Sequence, residues 1–228
     1  MSDDRARILA AIRVSLRRGA DAGEAAAAIA ARLADPRPNL VPARAMLDHE
    51  GQVALFVAMA EEAAATVARV AGEHDVPQAI AGYLAEHNLP AAAAIAPDPT
   101  LDALPWQRAP LLALRRGRAE GSDAVGITGA FAAVAETGTL MLNSGPEHPS
   151  TLNSLPDTHI VVLRRDQVVG SYEDGWARLR ARGRGMPRTV TFVTGPSRTA
   201  DIEQTIQLGA HGPRRLHIVL VDGAAQEA

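Results

Sequence analysis

The strongest constraint on the fold is a pair of segments that are apolar at nearly every position instead of every second one. Thr158-His159-Ile160-Val161-Val162-Leu163 and Leu216-His217-Ile218-Val219-Leu220-Val221-Asp222 both read this way. A strand with one wet face alternates; a strand covered on both faces does not. Coverage of both faces belongs to parallel sheets, whose crossover helices lie on either side. Further strands are expected at 91–96, 111–114, 123–128, 138–142, 167–169 and 188–194. A helix over 172–182 turns Trp176 and Leu179 inward. The expected class is α/β, a mostly parallel sheet flanked by helices. In such sheets ligands bind beyond the carboxyl ends of the strands.

The first ninety residues have a different texture. Arg5 to Leu16 reads as a helix capped by Ser2, with Asp3 and Asp4 favourable at its positive end. Ile8, Leu9, Ile12 and Leu16 share one face, as an arm packed on its own domain or on a sister subunit would require or, alternatively, a basic membrane-surface or partner helix. Gly23 to Leu33 is a second, alanine-rich helix. Asp35-Pro36-Arg37-Pro38-Asn39-Leu40-Val41-Pro42 cannot continue it, because proline removes a donor and clashes with the preceding turn. The expected division is therefore a helical extension over 1–40 and an α/β domain over 41–228. Helices are expected over 49–71, with Val53, Phe56, Val57, Ala60, Ala64, Val67 and Val70 inward, and from Pro77 to His87.

Composition narrows the function classes. Aromatics are 3% of the 228 residues, so a stacking platform for bases has little to be built from. The net charge of -3, with no separate basic block, argues against non-specific nucleic-acid binding. No apolar run reaches the length of a membrane span, and no secretory signal core follows the N-terminus. There is no cysteine. Disulfides, thiolate zinc sites and cysteine-held iron–sulfur clusters are excluded for this chain, which fits a cytoplasmic protein. The histidines show no metal-ligand spacing. Dinucleotide, P-loop and serine-hydrolase fingerprints are all missing.

Chemistry concentrates in two places. Gly195-Pro196-Ser197-Arg198-Thr199-Ala200-Asp201-Ile202-Glu203 and Leu208-Gly209-Ala210-His211-Gly212-Pro213 fall between two strands, too polar a stretch for a plain connector. Gly195 permits a sharp turn. Ser197 or Thr199 is placed to cap a helix, whose free N–H groups with Arg198 would grip a phosphate or carboxylate. Alternatively Arg198 pairs with Asp201 or Glu203 at the surface. His211, between small residues, is either an acid–base or cationic group or part of a tight turn. The other place is Ala135-Glu136-Thr137-Gly138-Thr139-Leu140. Glu136 between apolar segments is a base or nucleophile, a ligand contact, or a buried acceptor for backbone N–H groups. Thr137, Gly138 and Thr139 would bond an anion or start a strand. A third stretch, Ser154-Leu155-Pro156-Asp157-Thr158-His159, places His159 either at a site or as a satisfied strand histidine.

These motifs in this order resemble the LUD-domain family, in its lactate-utilisation protein C branch. The resemblance rests on Gly126-Ile127-Thr128, the Glu136 to Leu140 segment, Ser154-Leu155-Pro156 through Ile160, Gly195 to Glu203, and Gly209 to Pro213. It covers roughly residues 89–222. Ala210 stands where a bulkier aliphatic is usual, and Asn143 to Pro149 is idiosyncratic. The resemblance implies a fold similar to ribose-5-phosphate isomerase, glucosamine-phosphate deaminase and CoA transferases. It implies a part in oxidising L-lactate to pyruvate beside partner proteins that carry iron–sulfur clusters, with no cofactor in this chain. It also leaves open a free-standing small-anion enzyme using Glu136 and Arg198. Glu136, Ser197, Arg198, Thr199 and His211 are expected to line one pocket.

Overall fold

The computed structural model describes residues 2–16, 22–199, 207–209 and 211–223. The chain divides into two compact units, Met1–Leu40 and Val41–Ala228. The first holds helices α1 (Ser2–Ser15) and α2 (Ala22–Ala34).

The second unit runs α3 (His49–Glu62), β1 (Thr66–Val70), α4 (Val76–Glu86), β2 (Ala92–Ile95), α5 (Pro99–Asp102), β3 (Ala113–Arg116), β4 (Val125–Gly129), β5 (Ala132–Val134), β6 (Thr139–Asn143), β7 (Thr158–Arg164), β8 (Val168–Val169), α6 (Tyr172–Ala181), β9 (Val190–Val193), β10 (Arg198–Thr199), β11 (Gln207–Leu208) and β12 (Arg215–Val221). Six strands form a parallel sheet in the order β1-β12-β7-β4-β2-β3. A second sheet, β8-β5-β6-β9, mixes parallel and antiparallel pairs.

The two apolar runs sit at the centre of the parallel sheet, and each divides its side chains between two cores. On β7, Ile160 and Val162 face a core shared with Ile80, Tyr83 and Leu84 of α4. Val161 and Leu163 face the other way, toward Val53, Phe56 and Ala60 of α3 and Ala133, Leu140 and Val168 of the second sheet. On β12, Val219 and Val221 join the first core, and Leu216, Ile218 and Leu220 the second. One face of the sheet is thus covered by helix and the other by helix and sheet. Burial of these side chains supplies the main drive to fold, at about 2 kcal/mol each.

Three expectations change. The helix expected over 49–71 stops at Glu62, and residues 66–70 are an edge strand paired with β12. Ala64 takes a left-handed conformation (φ 63°). Ala65 N–H bonds to Ala60 O at 3.0 Å and Ala64 N–H to Glu61 O at 2.8 Å, the paired closure of a Schellman cap. With alanine where glycine usually stands, no stop signal was visible. Second, residues 139–143 and 190–193 strengthen the second sheet, not the parallel one. Third, no helix starts at Ser197 or Thr199. Arg198–Thr199 are extended and pair antiparallel with Gln207–Leu208, so the helix N-terminus expected there as an anion cradle does not exist at those positions. Asp201 and Glu203 lie outside the described residues.

Candidate functional site

A cavity of about 810 Å³ gathers Gly195, Ser197, Arg198 and His211. Its walls come from the segments that lead into β7 (Ser150 to Ser154) and β12 (His211 to Pro213), and from the strand and turn Thr191 to Arg198. Backbone bonds lock these together. Ser197 N–H donates to Pro213 O at 2.8 Å, and Gly209 N–H to Ser197 O at 3.0 Å. The left-handed Gly195 (φ 74°) lies against α3's end, where an added Cβ would sit 2.1 Å from Ala63 O. That close approach explains the glycine. Arg198 and His211 are the ionisable side chains in the described lining, with hydroxyls from Ser150, Ser154, Thr191, Thr194 and Ser197 around them and no carboxylate. Among the described residues Arg198 makes only a long 3.5 Å bond to Ala63 O. Such a lining favours an anion: the guanidinium offers a fork, and the hydroxyls donate.

The remaining predicted residues stand behind this cavity. Glu136 is 5% exposed and does not line it. Its Oε1 accepts the Tyr172 N–H at 2.9 Å, and its own N–H donates to Gly170 O at 3.1 Å. Of the three roles open to it, the geometry is that of the buried acceptor, here at the start of α6. The expectation of one pocket shared by Glu136 and Arg198 is therefore corrected. Gly138 (φ 64°) touches α3, with an added Cβ 2.3 Å from Ala60 N. Thr137 and Thr139 hydroxyls meet at 2.7 Å, both reach the Tyr172 hydroxyl at 3.0 Å, and Thr139 reaches Thr194 at 2.6 Å. Thr194 does line the cavity, so these hydroxyls support its wall from behind without touching a ligand. Thr199 is held in the short β10–β11 ladder.

His159 is fully buried, bonded to Thr128 Oγ1 at 2.8 Å through Nε2. Burial holds its pKa down at about 4, so it is a neutral strand histidine. His217 is likewise lowered to about 4 by burial and then by the nearby His87; it stacks on Tyr83 at 3.8 Å and bonds Thr66 Oγ1 at 2.8 Å.

A second cavity, about 460 Å³, adjoins the first at Asn153 and opens at the carboxyl ends of the strands. It is built from residues that leave β2 (Asp98, Pro99, Thr100), β4 (Thr128, Gly129, Phe131) and β7 (Arg164), with arginines from α6 and the turn after it. Chain order explains the position. From β2 the chain passes outward to β3, then returns to β4 on β2's other side and continues to β7. The crevice between β2 and β4 is where the winding reverses, the place such sheets leave open for ligands. No motif marked it in the sequence; the signal was topological.

An α/β protein with a wholly parallel central sheet and two adjoining cavities defines the class. The chain belongs to the LUD domain family, whose model matches residues 44–221. It is 38% identical over 109 residues to lactate utilization protein C of Deinococcus radiodurans, covering 47% of this chain and 50% of that one. It is 33% identical over 100 residues to lactate utilization protein C of Bacillus subtilis, covering 42% of each. An uncharacterized protein of Neisseria meningitidis, NMB1437, is 40% identical over 96 residues, covering 42% of this chain and 41% of that one. The matched segments span half or less of these relatives' lengths. Among solved structures, a DUF162 family protein from Deinococcus radiodurans superposes with a TM-score of 0.58 at 26% identity, over 77% of this chain and 99% of that one.

Proposed function

We propose that the protein is a lactate-utilisation protein C-like subunit that binds the carboxylate of L-lactate or pyruvate in the larger cavity. It works in the cytoplasm beside partner proteins that carry iron–sulfur clusters, and electrons pass through those partners. Family membership and the names of the relatives support the pathway. The lack of cysteine supports a non-redox part, because thiolates are the usual ligands of such clusters. The observation that carries the binding site is the lining itself: Arg198 and His211 as its charged or chargeable groups, ringed by hydroxyls and free of carboxylates among the described residues. Arg198 would take the carboxylate, and His211 the 2-hydroxyl or 2-oxo group.

Calorimetric titration of the purified chain with L-lactate and pyruvate tests this, repeated with Arg198→Ala. The expected result is a binding component weakened at least tenfold in the variant, since a charge-assisted pair contributes about 1.5–3 kcal/mol. Lactate and pyruvate that do not bind, or that bind the variant equally well, overturn the reading. Reconstitution of lactate oxidation with the iron–sulfur partners should then fail with Arg198→Ala and proceed with wild type.

A further inference from the structure

The second cavity has chemistry that neither the sequence motifs nor the reading above accounts for. Four arginines line it beside two carboxylates, Asp98 and Glu147, and two of the arginines are already engaged. Arg164 is paired with Glu73 at 2.6 Å, and Arg178 donates to Asp166 O at 2.7 Å. Arg182 and Arg184 have no carboxylate partner among the described residues. The Arg182 guanidinium lies 5.4 Å from the centre of the Phe131 ring, which holds it beside the cavity.

Facing these cations are two buried polar side chains with unused valence. Asp98 is 7% exposed. Its Oδ1 caps α5 by accepting from Thr100 N–H and Oγ1, both at 2.8 Å. Its Oδ2 accepts no hydrogen bond among the described residues; His148 Nδ1 stands 3.6 Å away. Gly129 leaves that oxygen uncovered, since a Cβ there would approach Oδ2 to 3.1 Å. Asn143 is 6% exposed, and neither its amide oxygen nor its amide nitrogen has a partner among the described residues. An unpartnered buried amide costs about 1–3 kcal/mol. Inside the cavity wall, that cost is recovered when a ligand supplies the missing bonds.

We propose that this cavity binds a small anion that carries a hydroxyl group, its charged end held by Arg182 and Arg184 and its hydroxyl end by Asp98 and Asn143. A carboxylate and a phosphate share that chemistry. An anion without a hydroxyl would leave the Asp98 carboxylate facing it uncompensated, so the acidic residue acts as a selector. The site stands apart from the larger cavity in its binding groups, although Asn153 contributes to both walls.

The test uses the full chain and calorimetry at constant ionic strength, at a pH where the phosphate esters are dianions, with four probes: D-glycerate, glycerol 3-phosphate, propionate and n-propyl phosphate. At least one hydroxylated probe should bind one-to-one and at least tenfold more tightly than its hydroxyl-free counterpart. The Arg182→Ala/Arg184→Ala double variant, altered only at exposed positions, should weaken it at least tenfold, and Arg198→Ala less than twofold. Which of the two hydroxylated probes binds tells carboxylate from phosphate. Asn143→Leu adds a second readout: the free protein's Tm should hold or rise while affinity falls. The proposal is overturned if neither hydroxylated probe binds, if the hydroxyl makes no difference, if the double variant binds as wild type, or if Arg198→Ala alone abolishes binding. That last result would assign the ligand to the larger cavity.

Discussion

The two cavities adjoin at Asn153 and are built by opposite means. The larger one is made where chain leads into β7 and β12, from one dense polar stretch whose backbone is tied down by hydrogen bonds and a glycine wedge. The smaller one is made where chain leaves β2, β4 and β7, from residues scattered between Asp98 and Arg184. The first is a local motif given shape by its own backbone. The second exists only because the sheet order brings distant segments to a crevice. Local density of functional groups therefore points to one kind of site, and topology to the other. A search that uses either signal alone finds half of what this molecule offers.

The largest expected effect is on pH dependence, and it reaches both cavities. His159 bonds to Thr128, which lines the smaller cavity, while His217 sits four residues beyond the Pro213 that lines the larger. Both are held neutral, with pKa lowered from 6.5 to about 4 by burial. The unfolded chain takes up these protons below pH 6.5 and the folded chain only near 4, so unfolding binds protons in between. Stability is complete above pH 6.5 and falls as pH drops through that window, by about 1.4 kcal/mol per pH unit for each histidine. Urea unfolding from pH 7 to 4.5 should show this slope. His159→Gln and His217→Gln should each flatten it, and a slope unchanged in both variants would remove these histidines from the account.

Next in size is a contrast between two left-handed glycines. Gly195 holds the larger cavity's rim against α3, and a methyl group there meets Ala63 O at 2.1 Å. Gly183 sits among the smaller cavity's arginines at φ 66° with nothing within 4 Å of an added Cβ. Gly195→Ala combines backbone strain with a backbone clash and should cost about 3 kcal/mol; Gly183→Ala carries the strain alone, about 1 kcal/mol. Chemical denaturation reads both. Equal costs would mean that the wedge at Gly195 relaxes freely and that the two rims are alike.

The parallel sheet was legible because β7 and β12 are apolar on both faces, a pattern no half-exposed strand can show. The polar stretch from Gly195 to His211 was legible as more than a connector for a similar reason: glycine, arginine, hydroxyls and histidine between strands have little packing to do, and Gly195, Ser197, Arg198 and His211 line the larger cavity. What escaped has physical causes. β1 hid inside a helical composition because Ala64 adopts the left-handed turn that glycine normally announces. Glu136 looked catalytic because a carboxylate among apolar residues needs a partner; the sequence could not say that the partner is the Tyr172 backbone. Asp98, Asn143 and Arg182 are unremarkable one by one and meet only after the strands are ordered.

Glu136 offers a smaller effect that sharpens the division between binding residues and their support. If it only accepts the Tyr172 N–H at the start of α6, Glu136→Gln keeps an acceptor oxygen in place. It should cost under about 1 kcal/mol, and Glu136→Ala about 2 kcal/mol, since the alanine leaves a buried donor unmet. Anion affinity at either cavity should change less than twofold in Glu136→Gln. A tenfold loss of lactate or pyruvate affinity would return Glu136 to the ligand and merge it with the larger cavity.

The smallest effect concerns the hydroxyls behind the larger cavity. Thr137, Thr139 and Tyr172 share their protons in one cluster, and Thr194 extends it to the wall through Thr139 at 2.6 Å. Thr194 is exposed, so valine there removes one bond that water partly replaces, at about 0.5–1 kcal/mol. Thr139 is fully buried, and Thr139→Val strips the cluster of its centre, leaving Tyr172 and Thr137 to bond each other. The cost should be no more than about 1.5 kcal/mol because those two groups stay partnered. If the cluster only supports the wall, both variants lower Tm slightly and leave ligand affinity within threefold. If Thr194→Val instead weakens binding tenfold with stability intact, the hydroxyl donates directly to the anion. The larger cavity would then read its ligand through Thr194 as well as Arg198, and Thr194 would move from the supporting wall to the binding groups.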